Sequence, residues 1–266
     1  MPNNRLFAFV LVTSVLAAGR AEAQFGAPDP APGEDFHVEL GAMFWTPTPE
    51  LRLQTGALAV IGESEIDFVN EFGIDEERFT EFRAVVKAGR RHKIRFSYVP
   101  VRYDAEAILQ RTITFGGRTF PLSVPARADL EWKLWRFGYE WDFVARDRGV
   151  VGLVTELKYN DVSAELSSVI GAEAAEAKAP VPQIGLIGRG YLHRYFSVTG
   201  EFTAFRFDSD EFEAKLYDFE AYGTLSLGRH VGVQGGYRSI TADYFVDDDR
   251  GDLKLEGPYF GVVVRF

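Results

Sequence analysis

Apolar residues recur at every second position in one segment of this chain after another. The clearest case reads Trp135, Phe137, Tyr139, Trp141 and Phe143, interleaved with Arg136, Gly138, Glu140 and Asp142. Successive side chains of a β-strand point to opposite faces, so this period predicts strands with one apolar and one polar face. The same reading predicts strands over 36–44, 79–88, 93–103, 151–159, 183–192, 195–206, 216–227 and 231–241, and a last one after Pro258. There Phe260, Val262, Val264 and Phe266 share a face opposite Tyr259, Gly261, Val263 and Arg265.

Connections alternate between short and long. Short ones contain Arg91, Asp147, Arg194 and Arg229, and long ones begin near Pro47, Asp104, Asp161, Phe207 and Val246. Thr46-Pro-Thr-Pro49 is expected to end the first strand, because proline donates nothing to a ladder. Ile66–Asp75 is compatible with a short helix or an extra hairpin, and Gly116-Gly117 marks a hairpin inside the next long connection. The Ala/Glu tract Gly171–Lys178 has no apolar stripe and is expected to be a solvated loop between Asp161 and Pro182. Through the Gly228-Arg-His230 turn, Leu225 should fall opposite Val233, Ala221 opposite Tyr237, and Glu220 opposite Arg238.

Five aromatics in one strand's row leave little room for a second sheet about 10 Å away, whereas lipid accepts any shape. Nine residues rising ~3.3 Å each and tilted ~40° span roughly 23 Å, near the ~25 Å apolar band of a membrane barrel. An all-β fold follows: a closed, antiparallel up-and-down transmembrane barrel of about ten strands, within about eight to twelve. Its lipid face would carry Trp135, Phe137, Tyr139, Trp141, Phe143, Phe260, Val262 and Val264. A secreted soluble barrel of lipocalin type is the alternative, and it would need an apolar interior.

At the N-terminus, Arg5 precedes an apolar run from Leu6 to Ala18 and a small-x-small site, Ala21-Glu22-Ala23. That is the pattern of a secretory signal peptide cleaved after Ala23. The run is short of the ~20 residues a spanning helix needs. The expected divisions are the signal over 1–23, a flexible Pro-rich lead-in over 24–34, and the barrel over 35–266. With no cysteine among the 266 residues, disulfides and thiolate metal sites are excluded. The formal charge is −10, which argues against a nucleic-acid partner.

The polar faces collect charge: Arg136, Glu140, Asp142, Glu156, Lys158, Arg189, Glu201, Asp218, Glu220 and Arg238. A barrel near eight strands is just wide enough for side chains to fill it, so these residues are candidates for ion pairs inside the lumen. The other reading is a charged narrow conduit for small solutes. Catalysis has weak support, since His37, His92, His193 and His230 all fall at the short-turn ends of strands. Asp208, Asp210 and Glu211 form a solvated acidic loop, and Asp247–Asp252 lacks the spacing and final Glu of an EF-hand. No catalytic residue, metal site or cofactor is expected.

The ending Gly257–Phe266, with its terminal aromatic residue, and the signal peptide together resemble small bacterial outer-membrane barrels of the OmpA or OmpW type. That resemblance implies passage across the inner membrane, periplasmic chaperones, contact with outer-membrane lipids, and insertion by the barrel-assembly machinery with Phe266 as its signal. Many such barrels have no known activity. Enzymes of this class, including those that modify lipids, place their catalytic groups toward the external side, where this chain has no histidine. The narrow, charge-filled lumen predicts a non-enzymatic structural or surface-presenting scaffold, with a narrow transporter and an outer-membrane lipid-modifying enzyme as the alternatives, and oligomeric state is left open.

Overall fold

The computed structural model describes residues 31–54, 66–115, 117–146, 148–209, 212–246 and 249–266. The signal segment and most of the lead-in therefore lie outside the described residues.

In chain order the strands are β1 (Val38–Trp45), β2 (Thr48–Gln54), β3 (Ile66–Asp67), β4 (Phe79–Gly89), β5 (His92–Ile108), β6 (Ile113–Phe115), β7 (Arg118–Phe120), β8 (Pro125–Arg146), β9 (Gly149–Ser168), β10 (Gly171–His193), β11 (Phe196–Asp208), β12 (Phe212–Ser226), β13 (Val231–Val246) and β14 (Asp249–Arg265). A single short helix, α1 (Phe68–Phe72), follows β3. Ten strands, in the order β1-β4-β5-β8-β9-β10-β11-β12-β13-β14, form an antiparallel sheet that closes by pairing β1 with β14. Closure removes the sheet's edges where all ten strands are present.

The register around the turns follows the alternation. Phe82, Ala84 and Val86 lie opposite Tyr98, Phe96 and Ile94. Leu225 meets Val233, Ala221 meets Tyr237 and Glu220 meets Arg238. A one-residue slip would reverse every face, so polarity fixes the register strongly. Phe137, Tyr139, Trp141, Phe143, Phe260 and Val262 are exposed on the outer wall, with Trp135 and Val264 partly so. At Phe143 the pairing of β8 with β9 shifts, and both Phe143 and Val144 face outward.

Four expectations are corrected. The first strand starts at Val38, and the proline segment only interrupts it: β2 resumes at Thr48 and continues along β14 as far as Gln54. The break is confined to Thr46-Pro47, which packs against Gly257 so closely that a Cβ there would collide with the Thr46 carbonyl. Second, Ile66–Asp75 forms both elements, a two-residue strand paired with β2 and the helix α1. Asp67 caps that helix by accepting from the Asn70 N–H at 3.0 Å, and Gly73, at φ 71°, ends it.

Third, the Ala/Glu tract is strand. Gly171–Lys178 pairs residue by residue with Asp161–Ser168 of β9, and the whole 161–182 connection is a hairpin turning at Val169-Ile170. Helix propensity loses here because β9 is already ordered on its other side by β8 and offers a full row of backbone partners. Fourth, the lead-in ends in a built turn. Glu34 donates its N–H to the Ala31 carbonyl at 2.8 Å, Ala31 is buried, and a Cβ on Gly33 would meet the Tyr191 hydroxyl at 2.6 Å.

Candidate functional site: the barrel interior

The interior has two levels, and the strands switch between them in phase. Along β5 the inward residues run Lys93, Arg95, Ser97, then Val99, Val101, Tyr103. Along β8 they run Glu140, Gly138, Arg136, then Leu134, Trp132, Leu130 and Ala128. β9 follows with Glu156, Lys158 and Asn160, then Val162, Ala164 and Leu166. The outer face makes the opposite change at the same height. Below it, β8 shows Phe137, Tyr139 and Trp141; above it, the outward positions are Lys133, Glu131, Asp129 and Arg127. Tyr98, Trp135 and Tyr159 form a row at the boundary, where Tyr98 and Trp135 stack with centroids 4.0 Å apart.

The lower level is a network of ion pairs. Asp218 accepts from Lys158 Nζ at 2.7 Å, Arg238 Nη2 at 2.8 Å and Arg136 Nη2 at 3.3 Å. Glu81 accepts from Arg83 at 2.8 Å and Arg238 at 3.0 Å. Glu201 accepts from Arg95 at 2.6 Å, and Lys93 bridges Glu140 at 2.6 Å and Asp142 at 3.0 Å. Glu156 lies 3.0 Å from Lys158 Nζ and accepts from Thr203 Oγ1. Arg238 also lies 5.4 Å above the Trp45 ring. Every lumen residue anticipated from sequence faces inward.

Two anticipated details differ. Glu220 stands opposite Arg238 in register but is bound by Arg83 at 2.6 Å and by the Tyr259 hydroxyl, while Arg238 turns to Asp218 and Glu81. Long side chains reach across the narrow lumen to other strands, which pairing on one ladder does not capture. Arg189 finds its carboxylate outside the strands altogether, in Glu34 of the lead-in turn at 2.7 Å. Glu34 also meets Lys87 at 3.4 Å and accepts from the Tyr191 hydroxyl at 3.1 Å. Burial pushes the Glu34 carboxyl up, but Arg189, Lys93 and Lys87 outweigh it and hold it at about 2. Glu81, Arg83, Lys93 and Arg95 were missed, although the alternation that put Phe82, Ile94 and Phe96 outside already placed them inside.

A cavity of about 40 Å³ remains at this level, lined in part by Arg83, Lys93, Arg95, Glu140, Arg189 and Gln234. That is room for a few waters. The upper level is an apolar core: Trp132, Leu134, Val99, Val101 and Tyr103 from the barrel strands, closed by Ile66, Phe68, Phe72 and Ile74 and by Ile113, Phe115 and Phe120 of the β6–β7 hairpin. Phe79 packs edge-on against Tyr103 at 5.1 Å.

The wall, the closure and the in-phase exchange of polarity decide the architecture. The fold is that of an outer-membrane β-barrel. Among solved structures, the outer-membrane protease OmpT from Escherichia coli matches with a TM-score of 0.57 at 12% identity, covering 92% of this chain and 99% of that one. The attachment invasion locus protein Ail of Yersinia pestis matches at 0.40 and 12% identity over 86% of this chain and 99% of its own. The toluene transporter TodX of Pseudomonas putida matches at 0.37 and 8% identity, covering 90% and 91%. No family model matches the chain, and no curated protein matches it in sequence. At these identities the likeness concerns the fold alone.

The histidines lie where the sequence put them: His37 just before β1, His92 opening β5, His193 closing β10 and His230 in the β12–β13 turn. Among the described residues no group of three or more His, Asp or Glu is arranged to hold a metal. Asp208 pairs with Arg206 at 3.4 Å, while Asp210, Glu211, Asp247 and Asp248 lie outside the described residues.

Proposed function

We propose that the chain is an integral protein of the bacterial outer membrane, delivered by a signal peptide cleaved near Ala23, and that it serves as a non-enzymatic, non-conducting scaffold carrying a folded external platform. The observation that carries this reading is the in-phase polarity exchange. A wall that is apolar outside and charged inside for one stretch, then charged outside and apolar inside, matches a bilayer followed by water. A soluble lipocalin-type barrel would keep its apolar face inward along its whole length.

The scaffold reading rests on the filled interior. Buried carboxylates and cations are interleaved across the lower lumen, and the upper lumen is packed by Trp132, Phe68, Phe115 and Phe120. Water-filled porins use ~16–18 strands. The ten strands here leave a lumen that side chains occupy. The β8 segment Pro125–Leu134 stands about 25 Å beyond the boundary row, by ~3.3 Å rise per residue and ~40° tilt. That extension, roofed by α1 and the β6–β7 hairpin, is the surface offered to the exterior. In this reading Phe266, whose side chain is exposed and whose backbone pairs with Val38, is the mark read by the assembly machinery and its chaperones.

The test has two steps. The mature protein should fractionate with outer membranes and run faster unheated than boiled on a detergent gel. Recovery as a soluble periplasmic monomer would overturn the membrane reading. In planar bilayers the purified barrel should be silent. Steady small conductance that responds to Glu220→Gln or Arg238→Gln would replace the scaffold with a narrow transporter.

A further inference from the structure

Every short turn that is complete between barrel strands carries exposed arginine. Arg90 and Arg91 lie between β4 and β5, Arg146 and Arg148 flank the β8–β9 turn, Arg194 follows β10, and Arg229 follows β12. His92, His193 and His230 are exposed beside them. The chain as a whole carries −10, so this rim runs against its own net charge. On the outer face of the far extension, by contrast, the two signs are interleaved: Arg127 pairs with Asp104, Glu106 and Asp129, Lys133 with Glu131, and Lys178 with Asp161. Clustered arginines at one mouth attract anions to it.

One stretch of the rim joins a groove on the outer wall. His92, Tyr139, Trp141, Leu153 and Thr155 line a groove of about 250 Å³ on the apolar band. His92 lies opposite Trp141, and its Nδ1 is 2.6 Å from the Tyr139 hydroxyl. The Arg91 carbonyl accepts from the Asp142 N–H at 2.8 Å, which sets the Arg91 backbone beside Asp142, the residue that follows Trp141 toward the turn. The groove is therefore aromatic and aliphatic along its length, polar at its lower end, and cationic just beyond.

The geometry points to a seat for one anionic phospholipid of the periplasmic leaflet. Its acyl chain lies against Trp141 and Leu153, and its phosphate meets His92 and the arginines at 90 and 91. The inference rests on the membrane reading proposed above. An acidic soluble protein would satisfy the arginines alone and leave the apolar lining of Trp141 and Leu153 unexplained, so the lipid accounts for more of the site. Each arginine near an anionic surface adds roughly a fivefold preference.

Quenching of tryptophan by brominated lipids reads the site directly. Trp45 and Trp132 are buried inside the barrel, so in a Trp135→Phe background Trp141 is the tryptophan that meets lipid. In zwitterionic vesicles, brominated phosphatidylglycerol should quench Trp141 at a mole fraction at least roughly fivefold lower than brominated phosphatidylcholine does. The double variant Arg90→Gln, Arg91→Gln should abolish the difference, while Arg229→Gln, on a distant turn, should keep it. Equal quenching by both lipids overturns the inference, as does a preference that survives the double variant. Binding of soluble polyglutamate without any lipid preference overturns it in favour of a protein partner. Quenching by neither lipid defeats the membrane reading itself, which keeps the two failures distinct.

Discussion

Lys158 and Ala164 are six residues apart on one strand and face the same lumen, yet they belong to different kinds of interior. Lys158 sits among Asp218, Glu156 and Thr203, where each group is held by a partner it must keep. Ala164 sits in a core of Leu166, Leu130 and Trp132, where contacts are many and interchangeable. A charge taken out of water is costly by itself and is offset only while its partners remain. An apolar side chain gains in proportion to the area it loses to solvent. The first interior is specified by pairing, the second by volume. Asn160 stands between them, bonded to the Trp132 indole N–H at 3.1 Å.

The largest effects should expose that difference. Asp218→Ala leaves Lys158, Arg238 and Arg136 facing one another without their shared carboxylate and should cost ~3–5 kcal/mol. Removing Lys158 as well, as Asp218→Ala with Lys158→Met, should recover part of that loss. Leu130→Ala should cost ~2–5 kcal/mol, but Leu130→Met should cost much less, because a core responds to volume. Urea unfolding of the barrel in detergent, followed on heat-modifiable gels, gives both comparisons. A graded response at Asp218, or no recovery in its double variant, would show that the lower lumen is not governed by pairing.

The outer wall offers the complementary test on the same strand. Leu157 and Ser163 share the outward face of β9, one below the boundary row and one above it. Leu157→Arg should cost ~2–4 kcal/mol, the expectation for arginine facing lipid near mid-depth. Ser163→Arg, set opposite Glu131 and Glu176, should stay within ~0.5 kcal/mol. Equal costs, measured by unfolding in lipid vesicles, would remove the boundary between Tyr159 and Ser163 or erase it altogether.

The same boundary explains what the sequence disclosed. Below it, strong aromatic rows such as Trp135–Phe143 make the period of two unmistakable, so strands, faces and the register of Glu220 with Arg238 were all readable. Above it, the rule inverts and its contrast weakens. Val99, Val101 and Tyr103 face inward opposite Arg102 and Asp104, and the tract Gly171–Lys178 has no apolar row on either face. That tract looked like a loop because its order comes from neighbouring strands rather than from its own pattern. The choice of ionic partners was less readable still, since it depends on which long side chains meet across the lumen.

Glu34 is the sharpest instance, a contact no strand periodicity could announce, and it carries a smaller predicted effect than Asp218 or Leu157. Its carboxylate ties the lead-in turn to Arg189, Lys87 and Tyr191 at the short-turn mouth. Because Arg189, Lys93 and Lys87 lower its folded value from 4.5 to about 2, despite burial acting the other way, its contribution is present above the unfolded value. It should be lost as pH falls from about 4.5 toward 2. Glu34→Gln should cost about 1–3 kcal/mol at neutral pH, the usual range for a hydrogen bond to a charged group, and should flatten stability over that acid window. The turn itself should loosen before the barrel does, so limited proteolysis near Ala31 should rise while heat-modifiability stays. If Glu34→Gln leaves the acid profile and the proteolysis rate unchanged, the mouth is held by the strands alone and the lead-in is merely adjacent to it.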